Sequence, residues 1–243
     1  MSTDPLMLPN LPSVDGPELL QLQKRCSAML SLAADMFPGS QPVSFERKHL
    51  ETSGTRVSLR TKAFYAAEKT DGVRYMLLIL EGQTFAVDRN FKMKRLPPMH
   101  FPRRDCQGVL GQTVLDGELI IDDKVGVDGV AVPRFLAYDA CCVSGRNLLG
   151  EALPVRLMSL RREVLAPRFA AAQEGYDFGG EPFAVEQKDF FALPQLPYIF
   201  ANVSAGEHGD KWLYAFKDPL RKLVHGNDGI IFTPIVDPYE PGT

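Results

Sequence analysis

The sequence predicts an α+β domain built on antiparallel sheet, and three observations carry that prediction. Runs of β-branched, aromatic and apolar residues, bounded by turn residues, fill the chain between Tyr65 and Asp139. Two stretches with apolar residues at helical spacing flank this region, one near the N terminus and one at residues 155–165. No internal repeat or low-complexity linker divides the 243 residues, so a single domain is the simplest account.

Two helices are predicted outside the strand region. The first is expected to begin at Pro17, because proline suits the first turn of a helix and apolar residues recur at helical spacing after it. Residues 1–16 are rich in proline and polar side chains and are expected to be ordered only in part. The second helix is predicted over residues 155–165, with Pro167 ending it. The stretch KWLYAFKDPLRKLVHG indicates helix or irregular structure.

The strand pattern predicts an antiparallel meander, in which each strand pairs with the next one along the chain. Glu81-Gly82 is expected to turn the first strand into the second, and Asp128-Gly129 the third into the fourth. Two later strands are predicted in EPFAVEQKDFF and NDGIIFTPI. The four strands of the meander are VRYMLLIL, TFAVDR, TVLDGELIID and VPRFLAYDA.

Composition and charge argue against several classes of protein. Hydrophobic residues make up 45% of the chain and charged residues 23%, and no apolar run approaches the length of a membrane span, so no membrane partner is expected. The net charge of -3 argues against a general nucleic-acid coat, so a polyanion should bind a local basic patch. The four cysteines form no C-x-x-C pair, which argues against zinc, and reduced thiols in a cytosolic or nuclear setting are expected.

Lys69, in EKTDGVRYMLLIL, is a candidate nucleophile at the mouth of a core strand. An attacking lysine must lose its proton, and burial and nearby positive charge both favour that loss. The strand position predicts burial of Lys69, and Arg74 supplies a positive charge five residues on. Gly72 lets the backbone bend and leaves room for a ligand. The alternative is an ordinary Asp-Gly hairpin turn with its charges in water, and this stretch alone leaves both open.

Two further stretches place carboxylates next to apolar strands. LDGELIID puts Asp116 and Glu118 on one strand face, and NDGIIF puts Asp228 at the mouth of another strand. Carboxylates beside a lysine and an arginine can form a site for a phosphate and a divalent metal, and oxygen ligands suit Mg²⁺ or Mn²⁺. The metal would neutralise charge on a phosphoryl group under attack. A turn is the alternative for each stretch.

The motifs KTDGVRY, LDGELIID, RFLAYDA and NDGIIFTP stand in the order found in covalent nucleotidyltransferases, which the chain resembles. That superfamily includes the mRNA guanylyltransferases and the ATP-dependent nucleic-acid ligases. FPGSQPVSF, AVPRFLAYD and the terminal DGIIFTP…YEPG resemble the guanylyltransferase domain of cellular mRNA capping enzymes more closely. Ligases usually carry a Glu-Gly pair where this chain has Asp228-Gly229. Over residues 17–243, the resemblance implies an ATP-grasp-like, DNA-ligase-type nucleotidyltransferase domain of antiparallel sheets flanked by helices.

The resemblance implies a two-step reaction. A lysine attacks the α-phosphate of GTP, pyrophosphate leaves, and the lysyl-N-GMP then passes its GMP to the 5′-diphosphate end of RNA. By motif, Lys69 is the nucleophile and Arg74 contacts the ribose or the RNA end. Glu118 contacts the ribose or the metal, and Asp228 helps to hold that metal, which is Mg²⁺ or Mn²⁺.

Further positions implied by the resemblance surround the nucleotide. Tyr138 stacks on guanine, and Ile230 closes the other side of the base. Arg89, in VDRNF, reaches the nucleotide phosphates, and Lys188, in VEQKDFF, is a further candidate for a phosphate contact. The basic run from Arg89 to Arg104 has two interpretations, an RNA-phosphate path or a solvated loop.

The family pattern continues with a lysine-rich strand motif and an OB-type domain, and both are absent from the chain up to Thr243. The GTP pocket is therefore expected to be largely present but slow or inactive in forming the covalent intermediate. Nuclear localisation is expected, with GTP, 5′-diphosphate RNA and the C-terminal tail of RNA polymerase II as partners. Two alternatives stay open: an ATP-dependent polynucleotide ligase that uses a lysyl-AMP, and a GTP-binding or interaction module without turnover.

Overall fold

The computed structural model describes residue 8 and residues 10–33, 36–52, 58–105, 107–121, 133–201, 203–205, 212–214 and 225–242. Within these residues the helices are α1 (Gly16–Leu30), α2 (Leu153–Ser159), α3 (Ala166–Gln173) and α4 (Leu196–Phe200). The strands are β1 (Ser13–Val14), β2 (Phe64–Thr70), β3 (Val73–Leu80), β4 (Gln83–Val87), β5 (Met93–Arg95), β6 (Thr113–Ile121), β7 (Pro133–Val143), β8 (Arg146–Asn147), β9 (Ala184–Gln187), β10 (Phe191–Ala192), β11 (Val203–Ala205), β12 (Trp212–Tyr214) and β13 (Asn227–Pro234).

Two sheets form the frame of the domain. The larger sheet has the strand order β1-β5-β4-β3-β6-β7-β8, and β9 joins β7. The smaller sheet has the order β10-β2-β13, and β11 and β12 form a separate ladder. The prediction of an α+β fold on antiparallel sheet is confirmed, and the parallel β7–β9 pair is an exception to it.

The strand order differs from the predicted meander. Glu81 and Gly82 form the expected turn between β3 and β4, and both have positive φ. The third predicted strand, β6, pairs with β3 rather than with β4. The meander prediction is wrong at this step because β5 occupies the other edge of β4. The predicted Asp128-Gly129 turn lies outside the described residues, although β6 and β7 pair in antiparallel fashion as expected.

The larger sheet is covered on both faces, because side chains alternate along each strand. Met76 and Leu77 are neighbours on β3 and belong to different cores. Leu77 packs in the core that contains Leu160, whereas Met76 packs in the core that contains Leu30 of α1. The predicted first helix is thereby confirmed, and it lies on the Met76 face.

The second predicted helix is longer than expected. Helical structure continues from α2 through a π turn at Leu160–Leu165 into α3, and Pro167 lies inside it. The Ala166 N–H donates to the Arg161 carbonyl, which is the five-residue spacing of a π turn. The prediction that Pro167 ends the helix is wrong. The wider turn comes immediately before the proline, so Pro167 falls in the first turn of α3, where its missing N–H costs no helical hydrogen bond.

The later strands show one correction and one confirmation. EPFAVEQKDFF is divided between two sheets, since β9 joins the larger sheet and β10 the smaller one. The prediction of a single strand there is wrong, whereas NDGIIFTPI is confirmed as β13. Within KWLYAFKDPLRKLVHG, residues 212–214 form β12 instead of helix or irregular structure, and residues 211 and 215–224 lie outside the described residues.

Two further expectations concern the N terminus and the membrane. Residues 1–7 and 9 lie outside the described residues, and the described part of the N-terminal segment includes β1, which pairs with β5. In the described part of the chain, no helix is both long and apolar enough to cross a bilayer.

Candidate active site

The KTDGVR stretch passes from the smaller sheet to the larger one. Lys69 lies near the end of β2 and Val73 begins β3, but the two strands pair with different neighbours. Asp71-Gly72 is therefore a crossing between sheets, and its interpretation as a hairpin turn is wrong. The Asp71 N–H donates to the Gly226 carbonyl at 3.0 Å, which ties the crossing to the residues before β13.

Close packing requires a glycine at position 72. A Cβ on Gly72 would lie 2.5 Å from the Leu119 carbonyl oxygen and 2.7 Å from Ile120 Cγ2. The Gly72 N–H donates to Glu118 Oε1 at 3.2 Å. The expectation that Gly72 leaves room for a ligand is wrong, because β6 fills that space. The glycine instead brings the crossing close to Glu118.

Lys69 forms an ion pair with Asp228. Its Nζ lies 2.7 Å and 2.8 Å from the two carboxylate oxygens. The side chain of Lys69 is 51% exposed and that of Asp228 is 40% exposed. The expectation that Lys69 is buried is wrong, and the contact brings together two residues that the sequence predicted for the site.

A β-bulge in β13 places Asp228 beside Lys69. Asn227 pairs with Thr70 and Ile230 pairs with the residue two positions earlier on β2, so β13 has one extra residue over this step. Asp228 and Gly229 together stand opposite Lys69. A bulge of this kind redirects a side chain, which here faces the lysine.

Arg74, which is partly buried, forms an ion pair with the fully buried Asp116. Its Nε donates to Oδ1 at 3.0 Å and its Nη2 to Oδ2 at 2.6 Å. Nη1 donates to the Ser40 carbonyl, and Nη2 also donates to the Tyr239 hydroxyl at 3.3 Å. Burial alone would lower the pKa of Arg74, but the Asp116 carboxylate raises it above its ordinary value. Among the described contacts, one N–H on Nε, one on Nη1 and two on Nη2 are engaged, which leaves one of five.

Tyr138 stands at a second bulge, on β7. Asp116 pairs with Asp139 and Gly117 pairs with Ala137, so Tyr138 is the extra residue between them. Its hydroxyl donates to Asp116 Oδ1 at 2.9 Å. Burial, and then the charge of Asp116, raise the pKa of Tyr138 well above its ordinary value, so the hydroxyl stays protonated. The residue as a whole is half-buried.

Lys188 is buried between the two sheets. Its Nζ lies 3.7 Å from Glu118 Oε2 and 4.0 Å from Glu68 Oε1, and it donates to the Thr70 hydroxyl. The same Nζ lies 6.0 Å from the centroid of the Tyr138 ring. Lys188 therefore connects β2, the strand that carries Lys69, to Glu118 and Tyr138. A shared site requires these residues to lie close together.

Arg89 and Ile230 lie at the margins of this group. Arg89 is exposed and follows β4, whose last residue, Val87, pairs with Met76. That register places Arg89 at the end of the larger sheet nearest Arg74. Ile230 is half-buried on β13, and no described hydrogen bond or ion pair joins the side chain of either residue to the rest of the site.

The predicted acidic residues do not form one cluster. Asp116, Glu118 and Asp228 have different cationic partners. Among the described residues, no three or more His, Cys, Asp or Glu side chains are grouped to hold a metal. Mg²⁺ usually takes one or two carboxylates and completes its shell with phosphate oxygens and water. The separate oxygen donors of Glu118 and Asp228 fit that mode, and they do not fit an all-protein metal cage.

Most of the basic run has partners within the fold. Four of its six cations are engaged: Lys94 with the Leu8 carbonyl, Arg95 with Glu18, Arg103 with Asp105 and Arg104 with Glu163. Arg89 and Lys92 are exposed and have no ion pair in the described part of the chain. These two are the cations of the run that an RNA phosphate could best reach.

Sequence reasoning missed Tyr239, which contacts the Arg74–Asp116 pair. Its hydroxyl donates to Asp116 Oδ2, and the residue is 6% exposed. The YEPG stretch contributes to the family resemblance, which assigns no role to its tyrosine. An aromatic residue within such a stretch is the signal that could have pointed to a buried contact.

Comparisons with known proteins identify the family. The family model for the mRNA capping enzyme, catalytic domain, matches residues 10–243. The mRNA-capping enzyme subunit alpha of Neurospora crassa is 32% identical over 244 residues, which cover 96% of this chain and 55% of that protein. The mRNA-capping enzyme of Danio rerio is 33% identical over 232 residues, which cover 93% of this chain and 34% of that protein. The chain thus spans about half or less of the length of these curated relatives.

A solved structure was also matched. A mycobacterial DNA ligase D complexed with ATP and MES aligns with a TM-score of 0.39 and 16% identity, covering 74% of this chain and 51% of that chain. The family assignment rests on the two sequence comparisons. The chain belongs to the mRNA capping enzyme family, and residues 10–243 match the catalytic domain of that family.

Proposed function

We propose that the domain is an mRNA guanylyltransferase, which transfers GMP from GTP to Lys69 and then to the 5′-diphosphate end of RNA. The Lys69–Asp228 pair is the single observation that carries the proposal. The motif lysine is half-exposed, so a bound nucleotide can reach its amine, and the amine contacts a motif carboxylate. The capping enzymes among the relatives support the same activity.

In the first step Lys69 Nζ forms a P–N bond with the α-phosphorus of GTP. The bond from that phosphorus to pyrophosphate breaks, and pyrophosphate leaves with the electron pair. The amine must first be neutral, and positive charge near it favours loss of its proton. The Asp228 carboxylate, 2.7 Å from the amine, would place a bound metal ion close enough to supply that charge. A Mg²⁺ or Mn²⁺ ion held by Asp228 and Glu118 would neutralise charge on the phosphates when bound.

In the second step the terminal phosphate oxygen of the RNA attacks the GMP phosphorus. The P–N bond breaks, and Lys69 recovers a proton as it leaves. We propose that the half-exposed position of Lys69 admits both substrates in turn. Arg89 and Lys92, which are exposed, would contact phosphates of the nucleotide or the RNA.

Tyr138 would stack on the base, because an aromatic face suits that contact. GTP rather than ATP is the proposed substrate because the relatives are mRNA-capping enzymes, which argues against the ligase alternative. Lys188, the further candidate for a phosphate contact, is buried and is engaged by Glu118 and Thr70. Ile230 would close the other side of the base, and Arg74 would use its remaining N–H toward the ribose or the RNA end.

We infer nuclear localisation from the proposed substrate, since mRNA is capped where it is made. The C-terminal tail of RNA polymerase II is a further proposed partner for the same reason. Family membership is the support for both statements.

The test is incubation with labelled GTP and Mg²⁺, followed by denaturing electrophoresis. We expect covalent label to accumulate slowly on the wild type and not at all on Lys69→Ala or Lys69→Arg. The arginine variant is the sharper control, because it keeps the positive charge beside Asp228 and removes the nucleophilic amine. Excess unlabelled GTP should suppress the label, and excess ATP should not.

Two outcomes would favour the alternatives. Label transferred from ATP in preference to GTP would indicate a ligase. GTP binding by the wild type without covalent label would indicate a nucleotide-binding module and would contradict the proposal.

A further inference from the structure

Tyr239 lies outside the four motifs, yet it is joined directly to the Arg74–Asp116 pair. Its hydroxyl donates to Asp116 Oδ2 and accepts from the Ser40 N–H at 2.8 Å and from Arg74 Nη2 at 3.3 Å. The residue is 6% exposed. A side chain so enclosed affects a ligand through its neighbours rather than by direct contact.

The two oxygens of Asp116 have matching donors. Oδ1 accepts from Arg74 Nε and from the Tyr138 hydroxyl. Oδ2 accepts from Arg74 Nη2 and from the Tyr239 hydroxyl. Burial, and then the charge of Asp116, raise the pKa of Tyr239 well above its ordinary value, so its hydroxyl stays a donor. The orientation of this buried carboxylate therefore depends on one arginine and two tyrosines.

The Tyr239 ring is held from several sides. The Tyr239 N–H donates to the Leu149 carbonyl at 2.8 Å, and the Gly242 N–H donates to the Gly39 carbonyl at 2.9 Å. The Arg156 guanidinium lies over the ring, 5.7 Å from its centroid. These contacts fix the position from which the hydroxyl reaches Asp116.

We propose that Tyr239 is a positioning residue for nucleotide binding and that it acts through Asp116 on Arg74 and Tyr138. The inference rests on the proposed function, since it assumes that these two residues face the nucleotide. The Arg74 N–H that no described contact engages and the ring of Tyr138 are both positioned by one carboxylate, and Tyr239 holds the side of that carboxylate that Tyr138 does not. The segment after β13 is thus part of the site without contacting the substrate.

The first test needs no nucleotide and uses Tyr239→Phe, which removes only the hydroxyl. The NMR signal of the Arg74 Nε–H can be assigned by its loss in Arg74→Lys. In Tyr239→Phe we expect this signal to shift and to exchange with solvent about tenfold faster, the scale of one net hydrogen bond. An unchanged signal with unchanged exchange would overturn the positioning role.

The second test measures GTP affinity by calorimetry. We expect Tyr239→Phe to weaken GTP binding about tenfold. Val164→Ala is the matched control, because Val164 is fully buried in the core on the opposite face of the larger sheet and its truncation lowers stability without touching the site. This control should leave GTP affinity unchanged.

A double-mutant cycle separates positioning from a general structural effect. In an Arg74→Lys background, Tyr239→Phe should change GTP affinity by clearly less than tenfold, because one of the two groups on which it acts is gone. Equal losses in both backgrounds, or an equal loss in Val164→Ala, would overturn the proposal. A wild type that does not bind GTP would contradict the proposed function, and the Arg74 signal would still decide whether Tyr239 positions the pair.

Discussion

Lys69 and Arg74 belong to one six-residue motif, yet the fold treats their charges in opposite ways. Lys69 is 51% exposed, and its partner Asp228 is 40% exposed. Arg74 is 22% exposed, and its partner Asp116 is fully buried. A cation whose hydrogen bonds are used inside the fold fixes geometry, whereas an exposed pair can exchange partners. The motif therefore joins an arginine with fixed contacts on the larger sheet to a lysine on the smaller sheet that can change partners.

Arg74→Ala should give the largest loss of stability. It leaves the buried Asp116 carboxylate without its cation, which typically costs about 3–5 kcal/mol of the free energy of unfolding. Urea denaturation followed by circular dichroism measures this loss. A loss below about 1 kcal/mol would contradict the contrast between the two residues, because Arg74 would then contribute no more to the free energy of unfolding than Lys69.

Gly72→Ala should have a smaller but clear effect on stability. The added Cβ would lie 2.5 Å from the Leu119 carbonyl oxygen, and overpacking of this kind costs about 1–3 kcal/mol. Gly229→Ala is the matched control on the smaller sheet, since its Cβ would be 3.9 Å from the nearest atoms, in the Lys69 side chain. Equal losses in the two variants, measured by thermal unfolding, would contradict the contrast between the sheets.

Lys69→Ala should have the smallest effect on stability. Exposed ion pairs contribute about 0–1 kcal/mol, so the free energy of unfolding should change by no more than that. Covalent GMP transfer should nevertheless be abolished. A stability loss as large as that of Arg74→Ala would show that Lys69 has a structural role.

The sequence predicted more about which residues meet than about what each one contacts. Motif order grouped Lys69 with Asp228, and the structure joins them directly. Motif order did not predict that Arg74 binds Asp116 within the fold. That contact requires β3 to pair with β6, and β6 pairs with β3 because β5 occupies the other edge of β4. Strand order is a property of the whole sheet, and local patterns do not encode it.

Two other misses have local causes. The sequence leaves a hairpin turn open at Asp71-Gly72 and predicts ligand access at Gly72, because an Asp-Gly pair has the same local pattern in a hairpin and in a crossing between sheets. The close approach of β6 that requires a glycine is a tertiary contact. Pro167 was expected to end a helix, and the π turn before it removes that constraint.

The most direct test of the account is to map the site of GMP attachment by mass spectrometry. The wild type is incubated with GTP and Mg²⁺, digested under conditions that preserve a P–N bond, and its peptides are sequenced. We predict GMP on the peptide that contains Lys69 and on no peptide of Lys69→Arg. GMP on Lys188 or on another lysine, with Lys69 unmodified, would contradict the assignment of Lys69 as the nucleophile.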